Sequence, residues 1–280
     1  MKEIRDQVFE GERPLFHERN TLLHNVTIGA GESALKFCDN VEAYHCRFIG
    51  KYPFWHCQDC KIDNSVLTPE ARAALWYCRN TVMENTHVDA PKAFREMDGV
   101  TLRHVNFTDA QETFWHCYNL RLEDVEIRKA DNVFMCCHDI HIDGLRLQGK
   151  YAFQYSRNVE IHNAVIDTKD AFWETENVTI YDSEITGEYL GWHSKRLRLV
   201  RCKISGTQPL CYAQDLVLED CEMAPDCDLA FEDSEVNAVV TSPITSVKNP
   251  MRGVIVAPEI GEVIVDEFSR AVDPVKIVQK

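Results

Sequence analysis

The sequence predicts an all-β fold, a single-stranded parallel β-helix of about 11 coils with roughly 19–21 residues in each coil. Two observations lead to this prediction. A short polar residue recurs at intervals of roughly 19 to 21 residues, and apolar residues stand three and eight positions after each of these markers. A chain that returns beside itself at this interval pairs each coil with the next at roughly 4.8 Å. No stretch has the helical period of a leucine-rich or ankyrin repeat.

The marker residues open the predicted coils. Most of them are Asn or Asp, which tolerate the left-handed backbone conformation of a sharp corner. We therefore expect a corner at each marker. The markers are Asn20, Asn40, Asp59, Asn80, Gly99, Asn119, Asp139, Asn158, Asn177, Arg196 and Asp215.

Two short strands follow each marker. Apolar residues at the first and third positions, and again at the sixth and eighth, alternate with polar neighbours, and a period of two indicates a strand. A small residue nine positions before each marker is typical of a tight second corner. These small residues are Gly31, Gly50, Ala71, Ala90, Ala110, Ala130, Gly149, Thr168, Gly187 and Gly206.

The last segment of each coil contains two columns that we expect inside. One is mostly phenylalanine, five positions before the marker, and the other is mostly small residues, two positions before it, as in Phe54 and Cys57. Strict alternation does not let both columns point inward, so a bulge or corner must lie between them. Most of the 12 cysteines fall on interior columns and are interpreted as reduced core residues. The Cys57–Cys60 pair lacks partner ligands at zinc spacing, and no metal site is expected.

The coils are predicted to occupy residues 20–233 as one domain. Open strand edges invite association unless they are covered. We expect residues 1–19 to form an N-terminal cap, and residues 234–280 to form C-terminal strands or a cap of the same domain.

Charge and hydropathy exclude several classes of function. A net charge of -15 argues against a nucleic-acid partner, because such proteins need clustered Lys and Arg. The first residues, "MKEIRDQVFEGERPLF", lack the apolar core of a secretory signal, and no apolar run long enough to span a membrane occurs. The expectation is a cytoplasmic protein without a membrane partner.

All five tryptophans of the chain stand in one column, four positions before the marker. Charged members of this column argue against burial of the whole row. We therefore predict a flat, exposed aromatic strip that binds substrate. The predicted substrate-binding residues of this strip are Trp55, Trp76, Arg95, Trp115, Trp173 and Trp192.

The neighbouring column, three positions before the marker, contains the candidate catalytic residues. Glu96 precedes His116 by one coil, and Glu174 precedes His193 by one coil, which is close enough for a carboxylate to orient an imidazole. The alternative is that these are satisfied pairs on a solvated surface. The tyrosines of this column are further candidate substrate-binding residues, namely Tyr77, Tyr155 and Tyr212. In the adjacent column Glu176 is expected to pair with Arg157 or Lys195.

Several phrases carry a resemblance to known proteins. The coil length, the turn asparagines and the stacked aromatic rows resemble the pectin-lyase-like superfamily of right-handed parallel β-helices. The segments "FEGERPLF", "GKYPFWHC", "KDAFWETENVTIYDS" and "GTQPLCYAQDL" are similar to a bacterial family catalogued as a domain of unknown function. The resemblance implies a right-handed β-helix. Better-known members of the superfamily cleave or de-esterify acidic polysaccharides, but their catalytic motifs are absent from this chain, so no catalytic residue is carried over.

Two hypotheses of function follow. The first is binding of a carbohydrate or glycoconjugate along the tryptophan strip, with Glu174 and His193, or Glu96 and His116, as acid–base groups of a hydrolase or lyase. Arg95 is then available for an acidic sugar, and no cofactor is expected. The second is a non-catalytic scaffold whose aromatic strip contacts another protein or a second copy of the chain as a homo-oligomer.

Overall fold

The structure is a computed structural model that describes residues 1–271, 273 and 275–279. Of the predicted C-terminal stretch, Val272, Pro274 and Lys280 lie outside the described residues. The described chain is almost entirely β-structure, and its one helix is a 3-10 turn, Pro69–Ala71. No helix among the described residues is long and apolar enough to cross a membrane. The chain divides into two compact units, Met1–Arg146 and Leu147–Lys280.

The first unit contains strands β1 to β16 and the beginning of β17. They are β1 (Lys2–Arg5), β2 (Val8–Glu12), β3 (Arg19–His24), β4 (Thr27–Glu32), β5 (Asp39–Tyr44), β6 (Arg47–Phe48), β7 (Phe54–Trp55), β8 (Gln58–Asp63), β9 (Val66–Leu67), β10 (Leu75–Trp76), β11 (Arg79–Glu84), β12 (His87–Val88), β13 (Phe94–Arg95), β14 (Asp98–Arg103), β15 (Asn106–Phe107), β16 (Tyr118–Asp131) and β17 (His138–Lys150).

The second unit contains the remaining strands. They are β18 (Arg157–Lys169), β19 (Glu176–Tyr181), β20 (Glu184–Thr186), β21 (Lys195–Val200), β22 (Lys203–Ser205), β23 (Leu216–Met223), β24 (Glu235–Val240), β25 (Ile244–Lys248), β26 (Arg252–Ala257), β27 (Ile260–Ile264) and β28 (Lys276–Gln279).

Each unit is built from parallel ladders whose register follows the predicted columns. In the first unit, β3 pairs with β5 so that Leu23 lies opposite Ala43. In the second, β18 pairs with β19 so that Ile161 lies opposite Ile180. Residues at the same position of successive repeats are therefore neighbours, as a solenoid requires. The predicted parallel β-helix is confirmed.

The predicted number of coils is wrong, because the described residues form about 15 coils rather than 11. At the N-terminus Ile4 lies opposite Leu23, and the marker position of that coil is Met1, which gives no polar signal. Near the C-terminus the repeat length changes. Glu235 pairs with Arg252, which is a shorter step than in the earlier coils, and Val254 pairs with Lys276, which is a longer one. A search at the usual interval therefore misses the coils at both ends.

The interior columns are filled as predicted. In the first unit the rings of Phe94, Phe114 and Phe134 stack with centroid distances of 4.9 and 4.6 Å and interplanar angles of 5° and 4°. In the second unit Phe153 and Phe172 stack at 4.9 Å. All five rings are 0% exposed. Each ladder thus fills the centre of its unit with ring faces in contact.

A left-handed residue separates the two inward columns of the last segment. Phe54 and Cys57 are both buried, and His56 between them has φ of 54°. The same conformation recurs three positions before each marker from Asn40 to Asp215. It turns the chain so that both flanking columns point inward, which confirms the predicted corner.

The 12 cysteines are all free thiols. Eleven of them are buried, and Cys136 is half-buried. Burial raises the pKa of Cys211 and of Cys227 to about 12, so these thiols stay neutral. The interpretation as core residues is confirmed for the eight cysteines on the predicted interior columns, whereas Cys211, which stands in the column expected outside, is also buried. The eight are Cys38, Cys46, Cys57, Cys78, Cys117, Cys137, Cys202 and Cys221.

Candidate functional site

Four positions of each coil use the left-handed conformation, and they differ in the residues that adopt it. Seven residues before the marker the residue types are mixed, as in Tyr52, Lys92 and Asp170. The corner at the marker and the corner five residues later are mostly Asn, Asp or Gly, as in Asn20 and Asn25. The corner three residues before the marker contains none of these types in ten successive coils. We name these ten residues the corner column: Phe37, His56, Tyr77, Glu96, His116, Cys136, Tyr155, Glu174, His193 and Tyr212.

The residue types of the corner column have a high conformational free energy in the left-handed region. The left-handed region costs an ordinary L-residue roughly 1–2 kcal/mol, whereas Gly and Asn enter it most easily. A fold selected only for stability would favour Asn or Gly here, as the corners at the marker and five residues later do, whereas the corner seven residues before the marker also has mixed residue types. The large side chains of this column therefore have another role, in packing or in function.

Ring stacking accounts for several members of the corner column. In the first unit, Phe37 stacks on His56 at 5.1 Å and His56 stacks on Tyr77 at 4.8 Å, with interplanar angles of 14° and 11°. In the second, His193 stacks on Tyr212 at 4.9 Å. The ring faces contact one another, and such contacts offset part of the conformational cost.

Glu96 and Glu174 have no such compensation. Both side chains are exposed, and among the described residues neither carboxylate has a hydrogen-bond or ion-pair partner. Their backbones are in register with the coil that carries the predicted histidine, since Glu174 N–H donates to Trp192 O at 2.9 Å and Glu96 N–H donates to Trp115 O at 3.0 Å. The predicted Glu–His neighbours are therefore one coil apart, but no ion pair within 4.0 Å joins them.

A groove of about 430 Å³ lies against the corner column of the second unit. One wall is the corner column and the other is the column just before the markers, with Thr175 between them. Glu174 and His193 of the candidate catalytic set line it, whereas Trp173 and Trp192 do not. The lining residues are Tyr155, Arg157, Glu174, Thr175, Glu176, His193, Lys195, Tyr212 and Gln214.

The first unit has a groove of about 600 Å³ at the same position of its repeats. Its lining includes Glu96 and Tyr77, but not His116, which is the partner predicted for Glu96. Stacked rings occupy one end of its wall. The lining residues are Phe37, His56, Cys57, Gln58, Tyr77, Arg79, Glu96, Met97, Asp98 and Tyr118.

Some charged groups in the groove of the second unit have ion-pair partners within the protein, and others do not. Glu176 pairs with Arg157 at 3.5 Å, as one of the two predicted alternatives, and also with Arg196. The hydrogen bond from Arg196 is the main cause that lowers the pKa of Glu176. Lys195 has no ion pair in the described part of the chain. Glu174 and Lys195 are thus the charges of this groove that are free for a ligand.

The tryptophan column is half-buried rather than the flat exposed strip expected from the sequence. The indole N–H of Trp76 donates to Lys92 O at 3.0 Å, that of Trp115 to Asn132 O at 2.6 Å, and that of Trp192 to Gln208 O at 3.4 Å. These bonds hold the indoles against the turn of the following coil. Substrate binding by Trp55, Trp76, Trp115, Trp173 and Trp192 stays a prediction. The side chains of the corner column are more exposed than those of the tryptophan column.

Arg95 is held inside the tryptophan column. Its guanidinium carbon lies 5.1 Å from the ring centroid of Trp76 and 4.2 Å from that of Trp115, and Nη2 donates to Glu112 at 2.5 Å. Lys92 also contacts Glu112, at 2.9 Å. An acidic sugar would have to displace Glu112, so this arrangement favours a role for Arg95 in positioning the two indoles.

No group of three or more His, Cys, Asp or Glu side chains in residues 1–271, 273 and 275–279 could hold a metal ion. Cys57 and Cys60 are 2% and 3% exposed and belong to the packed interior.

Sequence reasoning missed the second wall of both grooves. From the sequence, Arg79, Asp98, Arg157, Lys195 and Gln214 belong to a surface ladder of alternating charge. The predicted corner was the signal that could have revealed this wall. A corner three positions before the marker places the corner column and the column directly before the marker on the two sides of one groove.

Fold and site together define a parallel β-helix with polar, aromatic-lined grooves along one corner of its coils. This chain belongs to the family described as "Protein of unknown function (DUF3737)", whose sequence profile matches residues 2–278. No curated protein matches the chain.

Solved structures with a similar fold are distant. The surface adhesin PfbA of Streptococcus pneumoniae has 8% identity and a TM-score of 0.37, over 94% of this chain and 81% of that chain. The A-module of the mannuronan C-5 epimerase AlgE4 of Azotobacter vinelandii has 8% identity and a TM-score of 0.32, over 96% and 90%. The catalytic domain of a GH87 alpha-1,3-glucanase in complex with nigerose has 8% identity and a TM-score of 0.34, over 99% and 63%. Likeness at this level carries no argument about function.

Proposed function

We propose that this protein binds a saccharide chain in the grooves along its corner column. The observation that carries the proposal is the pair of exposed glutamates, Glu96 and Glu174, which stand in a costly left-handed conformation without any partner in the described chain. A residue that lowers stability without compensation within the fold is expected at a functional site.

The groove of the second unit offers the groups that a sugar ring needs. Glu174 accepts hydrogen bonds from hydroxyls, while Lys195 and Gln214 donate them. Glu174 interrupts the ring stack, because Tyr155 precedes it and His193 follows it by one coil. His193 stacks on Tyr212, whereas Tyr155 has no ring contact with a described residue. Its ring therefore adds apolar surface for sugar C–H groups.

Saccharide modification is the further part of this proposal. The acid–base groups for a hydrolase or lyase would be Glu174 with His193, or Glu96 with His116. In the free protein these pairs are not hydrogen-bonded, and catalytic hydrogen bonds often tighten only when substrate binds. The grooves of about 430 and 600 Å³ are within the range of ligand sites, about 300–1,000 Å³.

The second candidate function is contact with another protein or with a second copy of the chain. The first unit favours it, because Phe37, Tyr77 and Tyr118 line its groove and are 41–43% exposed. Exposed aromatic residues of this size are typical anchors of protein interfaces.

Calorimetric titration of the double variant Glu96→Gln, Glu174→Gln tests the proposal. The probes are cellotetraose, maltotetraose, chitotetraose and tetragalacturonate. We expect at least one probe to bind the wild-type protein. The double variant should bind that probe at least about tenfold more weakly, because a hydrogen bond to a charged group contributes about 1.5–3 kcal/mol.

The matched control is Glu123→Gln, Glu188→Gln, which changes one glutamate in each unit outside the grooves. The two side chains are 59% and 51% exposed, and each pairs with a single basic residue, Arg103 or Lys169. Binding by the control should equal that of the wild type. If none of the probes binds, and light scattering shows a dimer that Phe37→Ala dissociates, the interface function replaces the saccharide proposal.

A further inference from the structure

We infer that the chain carries two equivalent saccharide sites, one in each unit, produced by a four-coil repeat of its exposed residues. This inference rests on the proposed function and adds the number and composition of the sites. The first site consists of Tyr77, Arg79, Glu96 and Asp98, and the second consists of Tyr155, Arg157, Glu174 and Glu176.

The exposed residues repeat with a longer period than the coil. Tyr77, Glu96 and His116 follow one another in the corner column, and after Cys136 the same order returns as Tyr155, Glu174 and His193. In the opposite wall, Arg79 returns as Arg157 at the same interval of four coils.

The fold does not require this longer repeat. Interior columns repeat in every coil because each coil packs on the next in the same way, as Phe94, Phe114 and Phe134 do. Exposed side chains have no such constraint, and adjacent coils never carry the same residue in the corner column. A return of tyrosine, arginine and glutamate after four coils therefore indicates a repeated role of these side chains.

The local geometry of the two sites agrees at each equivalent position. Both glutamates have φ of 51°, both are exposed, and neither has a partner among the described residues. In each groove the tyrosine lies one coil before the glutamate, and an arginine and an acid line the opposite wall.

A further shared irregularity lies directly before each glutamate. Arg95 Nε and Trp173 Nε1 are buried and have no hydrogen-bond partner among the described residues. Buried donors are almost always paired in folded proteins, so an unpaired one is unusual. The two occur at equivalent positions of the four-coil repeat, one beside Glu96 and the other beside Glu174.

The grooves around the two sites extend in different directions, because the first continues along the coils before Tyr77, to Phe37 and His56, and the second along the coils after Glu174. The sites also differ at two equivalent positions. Met97 and Tyr118 of the first groove correspond to Thr175 and Lys195 of the second. The first site is therefore more apolar and the second more polar. Both take a hydroxyl-rich pyranose chain, but we expect their affinities to differ, so that two binding steps are resolved.

The test measures by calorimetric titration how many tetrasaccharide molecules bind to each chain. The probe is whichever of the four tetrasaccharides binds the wild-type protein. The expected result is two molecules bound per chain. Glu96→Gln and Glu174→Gln should each remove a different one of the two steps, and the control Glu123→Gln, Glu188→Gln should keep both. Circular dichroism confirms that each variant keeps the β-fold.

The possible failures are distinguishable. One bound tetrasaccharide per chain, lost in one glutamate variant and unchanged in the other, overturns the two-site inference and leaves the proposed function in place. No binding by any of the four probes overturns both.

Discussion

Glu174 illustrates, at the scale of single residues, how a site departs from what stability favours. Its neighbours in sequence have clear structural reasons: Phe172 is fully buried in the ring ladder, and Glu176 pairs with Arg157 and Arg196. Glu174 has neither burial nor a partner among the described residues, and its backbone is left-handed. A solvated carboxylate in a conformation that disfavours glutamate is explained by what it binds rather than by what it stabilises.

Replacing Glu174 with asparagine should separate stability from function. Asparagine enters the left-handed region more easily, so Glu174→Asn should raise the free energy of unfolding by up to about 1 kcal/mol while weakening saccharide binding. Urea denaturation measures the first effect and calorimetry the second. The reverse change at another left-handed corner, Asn177→Glu (φ 56°), should lower stability. A less stable Glu174→Asn protein would contradict the account of the corner column.

At the scale of the element, each coil joins an interior that repeats without variation to an exterior that varies. The parallel ladders align equivalent residues, so a phenylalanine in one coil contacts the phenylalanine of the next. The left-handed corner two residues later presents its own side chain outward and returns the next one to the interior, as in His56 and Cys57. One short segment thus supplies both the core and the groove.

Replacing phenylalanine with alanine should have very different effects in the interior column and in the corner column. Phe114→Ala removes a ring that is 0% exposed and stacked on both faces, and should cost about 3–5 kcal/mol of unfolding free energy. Phe37→Ala removes a ring that is 42% exposed and should cost well under half as much. Equal destabilisation in urea titrations would mean that the interior ladder is not the main source of stability in the first unit.

At the scale of the whole molecule, the thiols report on how tightly the coils are packed. Eleven of the 12 cysteines are buried and Cys136 is half-buried. Buried neutral thiols react slowly, because the thiolate is the reactive form and the reagent must reach it.

Ellman's reagent should therefore detect at most one rapidly reacting thiol in the native protein and all 12 in denaturant. Cys136→Ser should remove the rapid phase, whereas Cys227→Ser should leave it unchanged. Rapid reaction of several thiols in native buffer would show that coils open locally.

The sequence by itself determined the parallel β-helix, the interior columns and the need for a corner between Phe54 and Cys57. These are set by a constraint that acts in every coil, since stacked interiors admit few residue types and the pattern is repeated many times. It did not determine the number of coils, because Met1 carries no marker and the steps after Glu235 depart from the usual spacing.

Only the tertiary structure decided which outer columns form a site. Whether Trp115 is exposed depends on a hydrogen bond to Asn132 in the next coil, and whether Arg95 is free depends on Glu112. The sequence places these residues at the right positions of the repeat, but it does not state the backbone angle that turns each side chain. That angle, left-handed at Glu96 and Glu174, directs the carboxylates outward and leaves them without a partner in the described chain.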